Sequence, residues 1–125
     1  MKPARRPAAL LLALAACSAS LAQGGDDAAR GKVLYESRCV ACHSVDAHRV
    51  GPAHAGVFGR VAGTAAEYDY SPALAKSNLR WSTASLEAWL ADPEKLVPGQ
   101  KMGYAVPLPQ DRADLVAYLA TLKAH

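Results

Sequence analysis

The sequence predicts an all-α fold, and three observations carry that prediction. Near the C-terminus Leu115, Tyr118, Leu119 and Leu122 recur at i, i+3, i+4, i+7, which lines one face of a helix with apolar side chains. No segment shows the period-two alternation of a half-buried strand, and no internal repeat is present. Glycine and proline are concentrated in the middle of the chain, at Gly51, Pro52, Gly56, Gly59 and Gly63, between segments that open with helix-start residues.

The first segment stands apart from that fold. Lys2, Arg5 and Arg6 form a basic opening, Ala8 to Ala16 is an unbroken run of alanine and leucine, and small residues follow. Ser20 and Ala22 sit at the −3 and −1 positions of a cut after Ala22, so residues 1–22 read as a secretory signal peptide and 23–125 as one domain. The apolar run is too short to span a bilayer, which takes about 20 residues. A second reading of the same stretch is a lipoprotein signal: in Leu14-Ala15-Ala16-Cys17 the cysteine would carry the lipid and residues 18–27 would be a tether. The charge depends on this cut. The full chain has 14 Lys and Arg against 11 Asp and Glu, but three of the basic residues lie before residue 23, leaving eleven against eleven. The basic balance therefore belongs to the targeting segment and gives no reason to expect a nucleic-acid partner. A 103-residue remainder has little apolar area to bury, and a domain that small commonly leans on a staple, metal or cofactor.

The elements of that domain follow in order. Asp26 or Asp27 caps a helix running to about Ser37, with Val33, Leu34 and Tyr35 as its apolar part. A long loop runs from Ser44 to about Ser71. Ser71-Pro72 opens a short helix through Lys76. A third helix spans about Thr83 to Ala91, with Leu86, Trp89 and Leu90 on one side, and Pro93 stops it. Pro109 and Asp111 start the last helix, whose stripe needs the N-terminal helix as partner; Gly31 would let the two backbones approach closely.

The chemistry is concentrated between the first helix and the long loop. Cys39-Val40-Ala41-Cys42-His43 reads as C-x-x-C-H, the attachment site of c-type haem. Two thiols three positions apart fit one helical turn and can add to the two vinyl groups along one porphyrin edge, and the next residue offers its imidazole to the iron. Rival readings are weaker. A thioredoxin-like pair needs a βαβ surround. A zinc site recruiting His48 and His54 would have far shorter spacing than a zinc finger. A plain disulfide leaves His43 without a role. Haem iron in electron carriers is commonly held by His and Met. Met102 is the one methionine after the signal, and it follows the Pro98-Gly99 turn, where a loop can present it. His48, His54 and His125 read as solvated surface residues, with His48 or His54 the fallback ligand. There is no phosphate-binding glycine loop, no G-x-S-x-G and no H-E-x-x-H, and nothing else in the chain suggests an enzyme.

Taken in order, these residues resemble the class I cytochromes c, in particular the short soluble bacterial type similar to mitochondrial cytochrome c. The resemblance runs from about Gly31 to Leu122. It rests on Cys39 to His43, Gly51-Pro52, Gly56-Val57-Phe58-Gly59-Arg60, Tyr68-Asp69-Tyr70-Ser71, Trp81, Trp89-Leu90, Pro98-Gly99-Gln100-Lys101-Met102 and Asp114 to Leu119. It implies the cytochrome c fold, with N- and C-terminal helices packed crosswise and shorter helices and loops around one covalent haem c on Cys39 and Cys42. It also implies that the Pro52 carbonyl accepts from the proximal imidazole, fixing the tautomer of His43. Arg60, Tyr70 and Trp81 match positions that bond the haem propionates. Gly31 and Tyr35 match contacts of the first helix, Leu115 and Tyr118 their partners on the last, and Tyr104 an aromatic by the exposed haem edge. Some positions depart from the pattern: Trp89 stands for a tyrosine near the methionine sulfur, Leu74 for a polar residue, and Glu94 for a rim lysine, while residues 103–110 form a segment one residue shorter.

The function expected from this is a monomeric, periplasmic single-electron carrier with His43/Met102 ligation and no open iron site. Its partners would be redox proteins: a cytochrome bc-type complex, a terminal oxidase, a dehydrogenase or a reaction centre. Arg38, Lys95 and Lys101 are the residues expected to meet an acidic partner, and no stable membrane insertion is expected. The alternatives are a haem protein that binds gases or reacts at a labile sixth position, and a lipid-anchored cytochrome subunit.

Overall fold

The computed structural model describes residues 1–4 and 25–125. The expected signal segment, Cys17 included, lies almost wholly outside the described residues. Among them are five helices and no strand, only one isolated bridge between Val61 and Arg80.

Helix α1 (Ala28–Arg38) begins at Asp27, whose carboxylate accepts from the Arg30 N–H at 3.0 Å and satisfies one of the four free donors of the first turn. Helix α2 (Pro72–Ala75) is a single turn capped by Ser71, and α3 (Thr83–Ala91) opens with a reciprocal pair, Ser82 and Ser85 each bonding the other's backbone N–H. Pro93 ends α3 as expected but also starts something the sequence reading did not include. Asp92 is at once the last-residue cap of α3 and the first-residue cap of α4 (Pro93–Leu96), accepting from the Lys95 N–H at 3.1 Å. Proline is well suited to this place, since at the first position of a helix its missing N–H costs nothing.

Helix α5 (Pro109–Leu119) ends one turn earlier than the apolar spacing through Leu122 suggests. The Thr121 hydroxyl donates to the Tyr118 carbonyl at 2.6 Å, and the Leu122 carbonyl accepts from the Gly56 N–H at 2.7 Å. Both bonds take carbonyls out of the helical pattern. Leu122 still packs against the core.

α5 packs on α1 and on α3. Leu115, Val116 and Leu119 are buried there with Tyr35, Leu86, Trp89 and Leu90. The approach of α1 to α5 depends on Gly31, because a Cβ there would lie 1.9 Å from the Asp114 carbonyl oxygen and 2.9 Å from the Tyr118 Cβ. Beside this crossing sit two carboxylates that are each only 1% exposed, Asp111 and Asp114. Arg30 bonds both at 2.5 Å, Arg38 reaches Asp111 at 3.1 Å, and the Asp27 N–H and the Gln110 amide each donate to Asp114 at 2.8 Å. Buried charges are tolerated where they are paired in this way. Nothing in the sequence spacing marked these two aspartates as buried, because their partners lie some 80 residues away.

Candidate functional site

The C-x-x-C-H segment is formed by the end of α1. Cys39 caps the helix, its N–H bonding the Tyr35 carbonyl at 2.9 Å, and the N–H groups of Cys42 and His43 both return to the Cys39 carbonyl at 3.1 and 2.9 Å. The chain therefore makes one further turn and holds the two free thiols and the imidazole within five residues. Nδ1 of His43 donates to the Pro52 carbonyl at 2.8 Å, which leaves Nε2 as the nitrogen with a lone pair to offer. Burial lowers the His43 pKa despite that bond, keeping the ring neutral. Gly51 makes room for it: a Cβ there would stand 2.1 Å from Cε1 of His43. Burial also pushes the Cys39 thiol up to about 11, outweighing the nearby Arg38, which lowers it, with a smaller upward push from Cys42. That is the opposite of the lowered pKa a redox-exchange cysteine needs.

All eight residues singled out from the sequence, Cys39, Cys42, His43, Pro52, Arg60, Tyr70, Trp81 and Met102, line one cavity of about 460 Å³. Met102 reaches it from the loop after α4, half-buried, and the rest of the wall is largely apolar, including Leu74, Leu86, Trp89 and Leu115. Trp81 and Trp89 meet edge to face with ring centres 5.3 Å apart. Tyr70 accepts from the Ala65 N–H at 3.2 Å. Arg60 spends its terminal nitrogens on the carbonyls of Ala55 and Ala53, at 3.2 and 3.4 Å, while its Nε is buried with no partner. A buried cationic donor left unpaired is costly and marks a place where an anionic group belongs. The residues present therefore fit a haem: an apolar chamber, two thiols beside a neutral imidazole, a thioether, and an unpaired donor suited to a propionate.

One histidine corrects the sequence reading, and two agree with it. His54 is no solvated surface residue. It lines the cavity, its ring stacks on His43 with centres 4.0 Å apart and planes 20° apart, and its Nδ1 is hydrogen-bonded to the Tyr35 hydroxyl at 2.9 Å. Burial, with smaller effects from His43 and Arg60, pushes its pKa down to about 3. The only sequence signal for this was a histidine two residues after Gly51-Pro52, which is ambiguous alone. His48 is exposed but structurally committed, accepting from the Ala53 N–H at 2.9 Å and donating to the Ala66 carbonyl at 2.8 Å. His125 is exposed and bonds Asp46 at 2.7 Å.

The expected partner-facing cations are differently placed from one another. Arg38 is engaged with Asp111, and Lys101 donates to the Asp69 carbonyl at 3.0 Å with the Asp69 carboxylate at 3.4 Å. The Lys95 side chain is exposed. Tyr104 is 44% exposed at the cavity.

Comparison with known proteins agrees with this geometry. The family model for cytochrome c matches residues 28–123. The chain is 45% identical over 100 residues to the cytochrome c of Euglena viridis, covering 78% of this chain and 98% of that one. It is 44% identical over 100 residues to the cytochrome c2 of Rhodopila globiformis, covering 78% and 94%. Among solved structures, cytochrome cH from Methylobacterium extorquens superimposes with a TM-score of 0.73 at 45% identity, covering 76% of this chain and 98% of that one. The ferricytochrome c2 of Rhodopseudomonas palustris does so with a TM-score of 0.73 at 39% identity, covering 78% and 99%. The helical frame, the C-x-x-C-H turn and matches of this extent have one reading in common: the chain belongs to the cytochrome c family, the haem-based electron carriers.

Proposed function

We propose that this chain is a periplasmic single-electron carrier that holds one haem c through Cys39 and Cys42, with His43 and Met102 as its two axial ligands. The observation that carries the reading is one largely apolar cavity lined by Cys39, Cys42, His43 and Met102 together. Haem, when bound there, supplies an iron centre that takes up and gives back one electron. The protein's part is to hold and to exclude. The Pro52 carbonyl fixes the tautomer of His43, so that Nε2 is the free nitrogen. A thioether ligand favours the reduced state relative to a second imidazole. The apolar wall keeps water away, and Arg60, Tyr70 and Trp81 are the residues proposed to meet the propionates.

With His43 and Met102 both holding the iron, no position on it would be left for a substrate, which favours transfer over catalysis. Export rests on the layout of residues 1–22. Among the described residues no helix is long and apolar enough to cross a membrane. The partners proposed are redox proteins such as a cytochrome bc-type complex, a terminal oxidase, a dehydrogenase or a reaction centre, met transiently by a monomer through a small interface.

The test is the visible spectrum of the exported, haem-loaded protein beside Met102→Ala. Sharp reduced bands and a weak far-red methionine–iron band, lost in the variant, are expected. Carbon monoxide should bind the ferrous variant and not the ferrous parent. Carbon monoxide binding to the parent would instead favour the gas-binding alternative. The mass of the mature N-terminus separates a free form starting at Gln23 from one lipidated at Cys17.

A further inference from the structure

The loop that carries Met102 is fastened to α4 by a short chain of hydrogen bonds. The Glu94 carboxylate accepts from the Gly99 N–H at 2.8 Å through one oxygen and from the Gln100 amide nitrogen at 3.2 Å through the other. The Gln100 amide oxygen in turn accepts from the Met102 N–H at 2.5 Å. The orientation of the Gln100 amide follows from its partners. Turned over, it would set its NH2 against the Met102 N–H and its oxygen against a carboxylate. On the outer side of this loop lies a second, shallower depression of about 230 Å³, lined by Asp92, Glu94, Gln100, Met102, Gly103 and Tyr104 among others. Met102 thus lines both the main cavity and this depression.

We propose that Glu94 is a positioning residue for Met102, acting through Gln100 as a latch that decides how often the thioether swings out of the main cavity and lets a small neutral ligand in. The proposal rests on the reading of Met102 as an iron ligand. Glu94, which the sequence comparison marks only as a missing positive charge on the rim, then has a role of its own in the loop. The latch is exposed to solvent, so each bond is worth little singly, but two backbone N–H groups of one turn depend on it. With Asp92 and Glu94 on the depression, anions would be repelled from this entrance, so the suitable probe is neutral imidazole.

The experiment measures the rate of imidazole binding to the ferric, haem-loaded protein, followed by loss of the far-red methionine–iron band. Glu94→Ala and Gln100→Ala should each speed entry about tenfold, the scale of one or two net hydrogen bonds, and the double variant should fall well short of the product because both act on one latch. Glu94→Gln, which keeps an acceptor for the Gly99 N–H, should lie between parent and Glu94→Ala. Should the alanine variants fail to fold, Glu94→Gln at the parent's rate overturns the proposal by itself. Rates equal to the parent, or effects that multiply in the double variant, also overturn it while leaving the ligand assignment intact. A parent protein with no far-red band removes the ligand assignment, and the latch falls with it.

Discussion

The hydroxyl of Tyr35 and Nδ1 of His54 are paired inside the haem-side wall, 2.9 Å apart, and His54 in turn lies flat on His43. A polar pair in an apolar wall is stable only while both members are present. Tyr35→Phe leaves the imidazole nitrogen without its partner and should cost about 1–3 kcal/mol, read as a lower denaturant midpoint with an unchanged slope. Cys39, Cys42, His43 and Met102 stood out from the residues themselves, as a C-x-x-C-H run and a lone methionine on a Pro-Gly loop, whereas Pro52, Arg60, Tyr70 and Trp81 entered only through the family resemblance. His54 was legible from neither, because a histidine's burial depends on what covers it, and here the cover comes from Tyr35, 19 residues back along the chain.

At the scale of the helices, the contact of α1 with α5 is set by one hydrogen atom and two carboxylates. Gly31→Ala puts a Cβ within 1.9 Å of a backbone oxygen, where no flexible side chain can give way. It should destabilise by about 3 kcal/mol or more, at the upper end of overpacking, and appear as a lowered melting temperature of the haem-loaded protein. Asp114 supplies a pH dependence. Burial by itself would raise its pKa, but the Asp27 N–H, Arg30 and Gln110 outweigh that and hold it below its ordinary 3.8. Its stabilising effect is complete above the unfolded value and is lost as pH falls through the lowered one. Acid unfolding of Asp114→Asn, which has no such proton to take up, should therefore depend less steeply on pH below about 4. Helix starts were readable from Asp26 or Asp27, Ser71-Pro72 and Pro109, since caps act over three or four residues. α4 was missed because Pro93 was read as a stop, and only the doubled use of Asp92 shows that a stop and a start can share one residue.

At the scale of the whole molecule, several cations among the described residues are paired within the protein. Arg38 is turned to Asp111, Lys101 to Asp69, and residues 23–125 balance eleven cations with eleven anions. Electron transfer to a redox partner should accordingly change by no more than about twofold between 0.01 and 0.15 M salt, a range over which screening shortens from about 30 to about 8 Å. A steep fall in the second-order rate, measured by stopped flow, would show that Lys95 and the remaining cations steer docking after all. The all-α class, the order of four of the five helices and the family were legible from sequence; the shape of the cavity was not, because it needs the long loop of residues 44–71 folded against segments distant in sequence. One feature of this layout reaches into time. The first helix of the domain is held by the last, so no partial chain can complete the core, however much of it has been made. Until residues near 119 are available, the turn bearing Cys39 and Cys42 has no finished wall over it. Cys39, only half-exposed in the finished fold, is therefore open during that interval to the chemistry that would join it to haem, and the last helix to arrive is the one that ends it.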